Sequence, residues 1–129
     1  MGIQQAVIRG RVRAEALMHD ACTIEHPTGE TTVGGVITTT YATVYAGKCR
    51  VQIIFEQGRP EDIGQAFRVI ERREVQVPVS VTGVVEGDRV TVTASALDPD
   101  LVGAVYTVRD VLAKTHLISR RLTVQEATS

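Results

Sequence analysis

The sequence contains no tryptophan, and aromatic residues make up only 4% of its 129 positions. A protein that works by stacking bases or sugars on ring faces needs more than that. Cysteine is scarce too. Cys22 and Cys49 are the only two, too few for a secreted scaffold stapled by disulfides, so two free thiols in a reducing, aqueous compartment are expected. No stretch approaches the ~20 apolar residues of a membrane span, and the arginine-bearing start at Arg9, Arg11 and Arg13 is not a secretory signal. Charge of one sign is also missing. Fourteen Lys and Arg face fifteen Asp and Glu, a formal net charge of −1, which argues against a protein built to grip duplex nucleic acid. Finally, the chain lacks G-x-S-x-G, Walker A, G-x-G-x-x-G and H-E-x-x-H motifs, so nothing points to an enzyme, a catalytic residue or a cofactor.

What is present suits one folded domain over residues 1–129. Hydrophobic residues at 43% and charged residues at 22% are ordinary for a globular chain of this size, which can bury roughly two-thirds of its unfolded surface. Residues 1–20 read as an N-terminal helix, because Ile3, Val7, Gly10, Ala14 and Leu17 recur at alternating spacings of four and three. Gly10 weakens its middle.

Residues 21–126 read as β-structure. Cys22 and Ile24 alternate with Thr23 and Glu25, and residues 27–29 carry turn chemistry. Gly34-Gly35 reads as the tip of a long hairpin returning through residues 36–44. A separate strand follows through Cys49, Val51, Ile53 and Phe55. Val75, Val77, Val79 and Val81 give the cleanest period of two, with Pro78 marking that strand as an edge or a bulge. Val85-Glu86-Gly87-Asp88 is a turn into Val90 and Val92, and Tyr106, Val108, Ile118, Leu122 and Val124 complete two more strands. Short strands with turn signals between them predict a mainly β fold: a small β-barrel with an N-terminal α-helix.

Several constellations carry chemistry in other proteins. His19, Cys22 and His26, with Cys49 as a further candidate, are zinc ligand types, but their spacing matches no common closed site and the fourth ligand has to be guessed. Asp98-Pro99-Asp100 is what turns use for their own backbone hydrogen bonds, and no metal site is expected. Arg9 and Arg13 share a helix face while Arg11 faces away, so no dense basic stripe forms. The longest connection, residues 56–65, combines glycine with charge and belongs on the surface. Loops of that length in a compact domain are often functional.

The segments Gly87-Asp88-Arg89-Val90-Thr91-Val92-Thr93, Asp98-Pro99-Asp100-Leu101-Val102-Gly103, Lys114-Thr115-His116 and Arg120-Arg121-Leu122 resemble the small connector proteins of long-tailed bacteriophages. The likeness is to the head-to-tail stopper, or head-closure, proteins of phages that infect actinobacteria. Residues 14–18 and 45–50 fit the same pattern. The resemblance implies a virion protein of the neck, made in the host cytoplasm. It implies a ring of on the order of six to twelve copies, placed below the portal and its adaptor, closing the DNA channel after packaging and docking the tail. Its expected partners are copies of itself, the portal-adaptor protein, a tail-terminator or tail tube protein, and passing genomic DNA without sequence specificity; no membrane is involved. Within that frame Glu56, Gly58, Arg59, Glu61, Asp62 and Gly64 are the candidate channel-gating loop, with the hairpin tip at residues 28–35 second. Arg9, Arg13, Leu17 and Pro78 are the candidate ring or adaptor interface. Two other readings compete: a tail-terminator or tail-completion protein, and a small OB-like binder of single-stranded nucleic acid.

Overall fold

The computed structural model describes residues 2–57, 69–113, 115 and 117–127. A helix, α1 (Ile3–Ala16), precedes six strands: β1 (Asp20–Val33), β2 (Val36–Gln57), β3 (Val69–Val77), β4 (Arg89–Ser95), β5 (Val105–Val111) and β6 (Arg120–Glu126). A short 3-10 turn, Pro99–Leu101, links β4 to β5. Every strand pair is antiparallel. The sheet closes on itself in the order β1-β2-β3-β6-β5-β4. The fold is therefore mainly β with an N-terminal helix, as expected.

Period-two alternation places one row of every strand inside. Cys22, Ile24, Cys49, Val75, Val77, Val90, Val92, Val108 and Leu122 are all at most 1% exposed, with Tyr106 and Val124 beside them. Each such aliphatic side chain removed from water contributes roughly 1.5–3 kcal/mol. Val81 and Val84 join the same cluster from the segment after β3. Cys22 and Cys49 are free thiols in this core. The hydrogen bond with Cys22, and then burial, push the Cys49 thiol far above its ordinary pKa, so it stays protonated.

Two strands are much longer than the sheet they help close. β1 pairs with β4 only from Asp20 to Glu25, yet it continues beside β2 to Val33. The last eight residues of β1 are all exposed, so residues 26–33 and their partners on β2 form a free two-stranded ribbon. At ~3.3 Å per residue it reaches roughly 26 Å past the closed sheet. The expected Gly34-Gly35 tip is there, with φ of +58° and +82°, the paired left-handed geometry of a tight hairpin. The turn expected at residues 27–29 is not. β1 runs through them with only a register shift between Pro27 and Gly29. A proline is tolerated there because β4 no longer flanks β1 and no donor is needed.

β2 likewise absorbs the two strands expected at residues 36–44 and from Cys49 onward, as one strand of 22 residues. Beyond Arg50 it leaves β1 and pairs with β3, out to Gln57 opposite Val69. β3 in turn meets β6 only from Arg73 to Val77. A second ribbon thus extends from the other end of β2.

The strand expected through Val81 ends at Val77 instead, and Val81 N–H closes a turn onto the Pro78 carbonyl at 3.0 Å. From Arg73 to Val77 β3 is hydrogen-bonded on both flanks, so the part leading to Pro78 is not an edge. Ile118 also lies outside the strands. It meets α1 at Gly10, where an added Cβ would come within 2.9 Å of its Cγ2. The glycine that weakens the helix is what lets the helix lie close.

Candidate functional site

α1 lies against the outside of the sheet and buries none of its own residues completely. Contacts among the described residues fasten it: the approach at Gly10, a hydrogen bond from Arg11 Nε to the Leu117 carbonyl at 3.0 Å, and a Glu15–Lys48 ion pair at 2.9 Å. Met18, just past the helix, is buried. The helix and the outer faces of β2, β3 and β6 enclose a groove of about 490 Å³. Leu17, Ile54 and Ile118 line it, together with Arg13, Arg50 and Arg121.

The groove floor is polar where the strand pattern predicts solvent. Glu74 and Gln76 lie on the outward face of β3, yet each is only 6% exposed. Gln76 Nε2 donates to Gln52 Oε1 at 2.9 Å and to Glu74 Oε2 at 3.0 Å. Three arginines thus line the same groove as one carboxylate that is already hydrogen-bonded. Glu74 and Gln76 were not legible as site residues, because period two alone cannot tell an outward face under water from one under a helix.

The expected interface residues divide. Arg9 and Arg13 are exposed on α1, and Leu17 caps its C-terminus at 50% exposure. Pro78 is different: it is buried just after a strand paired on both sides, so it offers no edge to a neighbour. Of the expected gating loop, Glu56 belongs to β2 and is paired with Ile70 rather than starting a loop. The ladder persists there because β3 returns directly alongside. Gly58, Arg59, Glu61, Asp62 and Gly64 lie outside the described residues. The second gate candidate, residues 28–35, is the ribbon tip, where Val33, Val36 and Ile37 are 76%, 64% and 66% exposed.

The zinc-type trio does not assemble. Cys22 is in the core, His19 is exposed at the helix–strand junction, and His26 hydrogen-bonds Asp88. Among the described residues no group of three His, Cys, Asp or Glu gathers to hold a metal. Asp88 is fully buried and saturated. One carboxylate oxygen bonds His26 and the other accepts the Val85 N–H at 3.0 Å, across a turn with Gly87 at φ +96°. Arg89, next in sequence, pairs with Glu25 at 2.9 Å and stacks 3.6 Å from the Tyr41 ring centre. Asp98 accepts the Asp100 N–H at 3.1 Å, the turn chemistry expected of Asp-Pro-Asp.

Tyr45 folds back over Gly47 and donates to the Lys48 carbonyl at 2.7 Å. Burial first, then the neighbouring Cys22, Cys49 and Glu15, raises its hydroxyl to about 12.

A model of the family described as a family of unknown function, DUF6093, matches residues 10–125. The chain belongs to DUF6093. The DUF6093 span begins at the glycine where α1 meets Ile118 and ends within β6, so it takes in strands β1 to β5, most of β6, Arg13 and Leu17. Arg9 falls just before it. No curated protein and no solved structure matches the chain.

Proposed function

We propose that this protein is a structural component of a bacteriophage head-to-tail connector, forming a ring below the portal and adaptor that closes the DNA channel and docks the tail. The observation that carries the reading is β2, a 22-residue strand that crosses a small closed sheet and supports a ribbon at each end. A molecule that reaches past its own core in two directions, with exposed apolar side chains at one tip, is shaped to join neighbours.

The sheet is a small β-barrel, and its interior is packed with side chains. It has no lumen for DNA, so a channel has to run between copies rather than through one. A near-neutral net charge suits a wall that DNA slides past. The segments quoted as resembling phage connectors find structural roles: Gly87-Asp88-Arg89 forms a saturated turn, and Asp98 to Gly103 forms a capped 3-10 turn. Both hold loops at fixed places, which suits a scaffold.

The gating proposal stays with Glu56, Gly58, Arg59, Glu61, Asp62 and Gly64, of which Glu56 is paired in the β2–β3 ladder and the others lie outside the described residues. A tail-terminator role shares these features and separates by which half-particle carries the protein when joining fails. The single-stranded nucleic acid reading is weaker, because the Tyr41 face is already covered by Arg89.

Removing the gene and imaging the lysate by negative-stain electron microscopy tests the reading. Heads separated from complete tails, with packaged DNA leaking, are expected. Normally joined particles would refute it.

A further inference from the structure

The ribbon formed by residues 26–33 and the β2 residues facing them is a structure that needs a partner. An isolated two-stranded hairpin is marginal in water, and this one displays Val33, Val36 and Ile37 at its tip. Val33 and Val36 are directly opposed and share one face, while Ile37 lies opposite Thr32 on the other. A tip that is apolar on both faces fits into a groove better than onto a flat surface. Its charge is simple as well. From residue 26 to residue 47, Glu30 is the only Asp, Glu, Lys or Arg in the sequence.

The groove under α1 has the complementary character. Leu17, Ile54 and Ile118 supply apolar lining, and Arg13, Arg50 and Arg121 line the same groove, with Glu74 the one carboxylate among its lining residues. A carboxylate arriving three residues behind an apolar tip would meet arginine there. The ribbon cannot enter the groove of its own chain. Val36 and Ile54 are on the same extended strand, 18 residues apart and so roughly 60 Å along it.

We infer that the ribbon tip of one copy, at Val33, Val36 and Ile37, inserts into the groove between α1 and the sheet of a second copy, with Glu30 meeting its arginines. The contact is head-to-tail: two different surfaces of one molecule meet, so each copy keeps one tip and one groove for further neighbours. Contacts of that kind generate rings when the rotation closes. The inference rests on the ring reading above and names the contact that would build it.

Two chains, each with one added surface cysteine, test it. One carries Val36→Cys and the other Leu17→Cys, both at exposed positions, and the native thiols are buried and unreactive. Equal amounts are mixed at the highest soluble concentration and treated with a short bis-maleimide. The expected result is a covalent dimer that forms in the mixture and that neither chain forms alone. Adding Glu30→Lys to the Val36→Cys chain should lower its yield by about tenfold, because like charges then meet at the contact. Placing Arg13→Glu on the Leu17→Cys partner should restore part of the loss. Circular dichroism of each variant checks that it is folded.

Linking of the Val36→Cys chain to itself would show that tips pair with tips and would overturn the inference. So would a mixture with no covalent dimer. The lysate experiment is independent of either result. A cross-link together with normally joined particles would keep the contact and remove the neck role; separated heads and tails without a cross-link would do the reverse.

Discussion

The closed body and the long ribbon are continuous in β1, yet they obey different rules. Between Asp20 and Glu25 the strand has a partner on each side and its inward residues Cys22 and Ile24 are at most 1% exposed. From residue 26 to Val33 it has one partner, and every residue is exposed. The same β-rich composition therefore gives a self-sufficient core in one place and an incomplete structure in the other. Backbone pairing alone does not make a stable element in water; a buried face does.

Substitutions sharpen that contrast. Ile24→Ala empties a fully buried site and should destabilise the monomer by about 2–5 kcal/mol in chemical denaturation. Asp88→Ala should follow at about 2–3 kcal/mol. It leaves the Val85 N–H without its acceptor and frees His26 at the root of the ribbon. Asp88→Asn, which retains one acceptor oxygen, should cost less.

A smaller effect comes from alkaline pH. Tyr45 ionises near 10.0 when unfolded and at about 12 when folded. Its neutral form is thus favoured by the native state, and the associated stability is complete below pH 10 and lost as pH rises towards 12. Cys49, also raised, begins the same decline nearer its ordinary 9.0. Urea titrations at a series of pH values should show stability falling from about pH 9 upward. Tyr45→Phe should flatten the upper part of that fall, at a neutral-pH cost of about 1 kcal/mol for the lost bond to the Lys48 carbonyl.

At the ribbon tip, Ile37→Ser should change monomer stability by less than about 0.5 kcal/mol, because nothing in its own chain packs on Ile37 strongly enough to bury it. If the tip serves assembly, the same change should weaken self-association measured by sedimentation. A tip substitution as costly as Ile24→Ala would erase the distinction between body and ribbon.

Sequence reasoning reached the body more easily than its extensions. Val90 and Val92 alternate with polar neighbours, and Val85 to Asp88 carries turn residues, so the inward rows and one turn were legible. Gly34-Gly35 likewise marked the hairpin tip. Pro27 and Gly29 misled, because that segment reads as a turn. Their place explains why they are tolerated: both lie where β1 has no β4 neighbour. Pro78 suggested an edge, whereas the strand stops one residue before it. The groove was hidden for a different reason. Glu74 and Gln76 are buried in the groove beside a helix far away in sequence, and no local pattern announces such a neighbour.

The most direct measurement is hydrogen exchange, followed by mass spectrometry, on the protein at low concentration and again at high concentration. Amides of β4, β5 and β6 should be protected equally in both samples. Those of the ribbon, residues 26–43, should exchange rapidly when dilute and slow markedly on concentration, together with peptides covering Leu17 and Ile118. A ribbon as protected as β4 in the dilute monomer, or one unchanged by concentration, would contradict the claim that it is completed by a second copy.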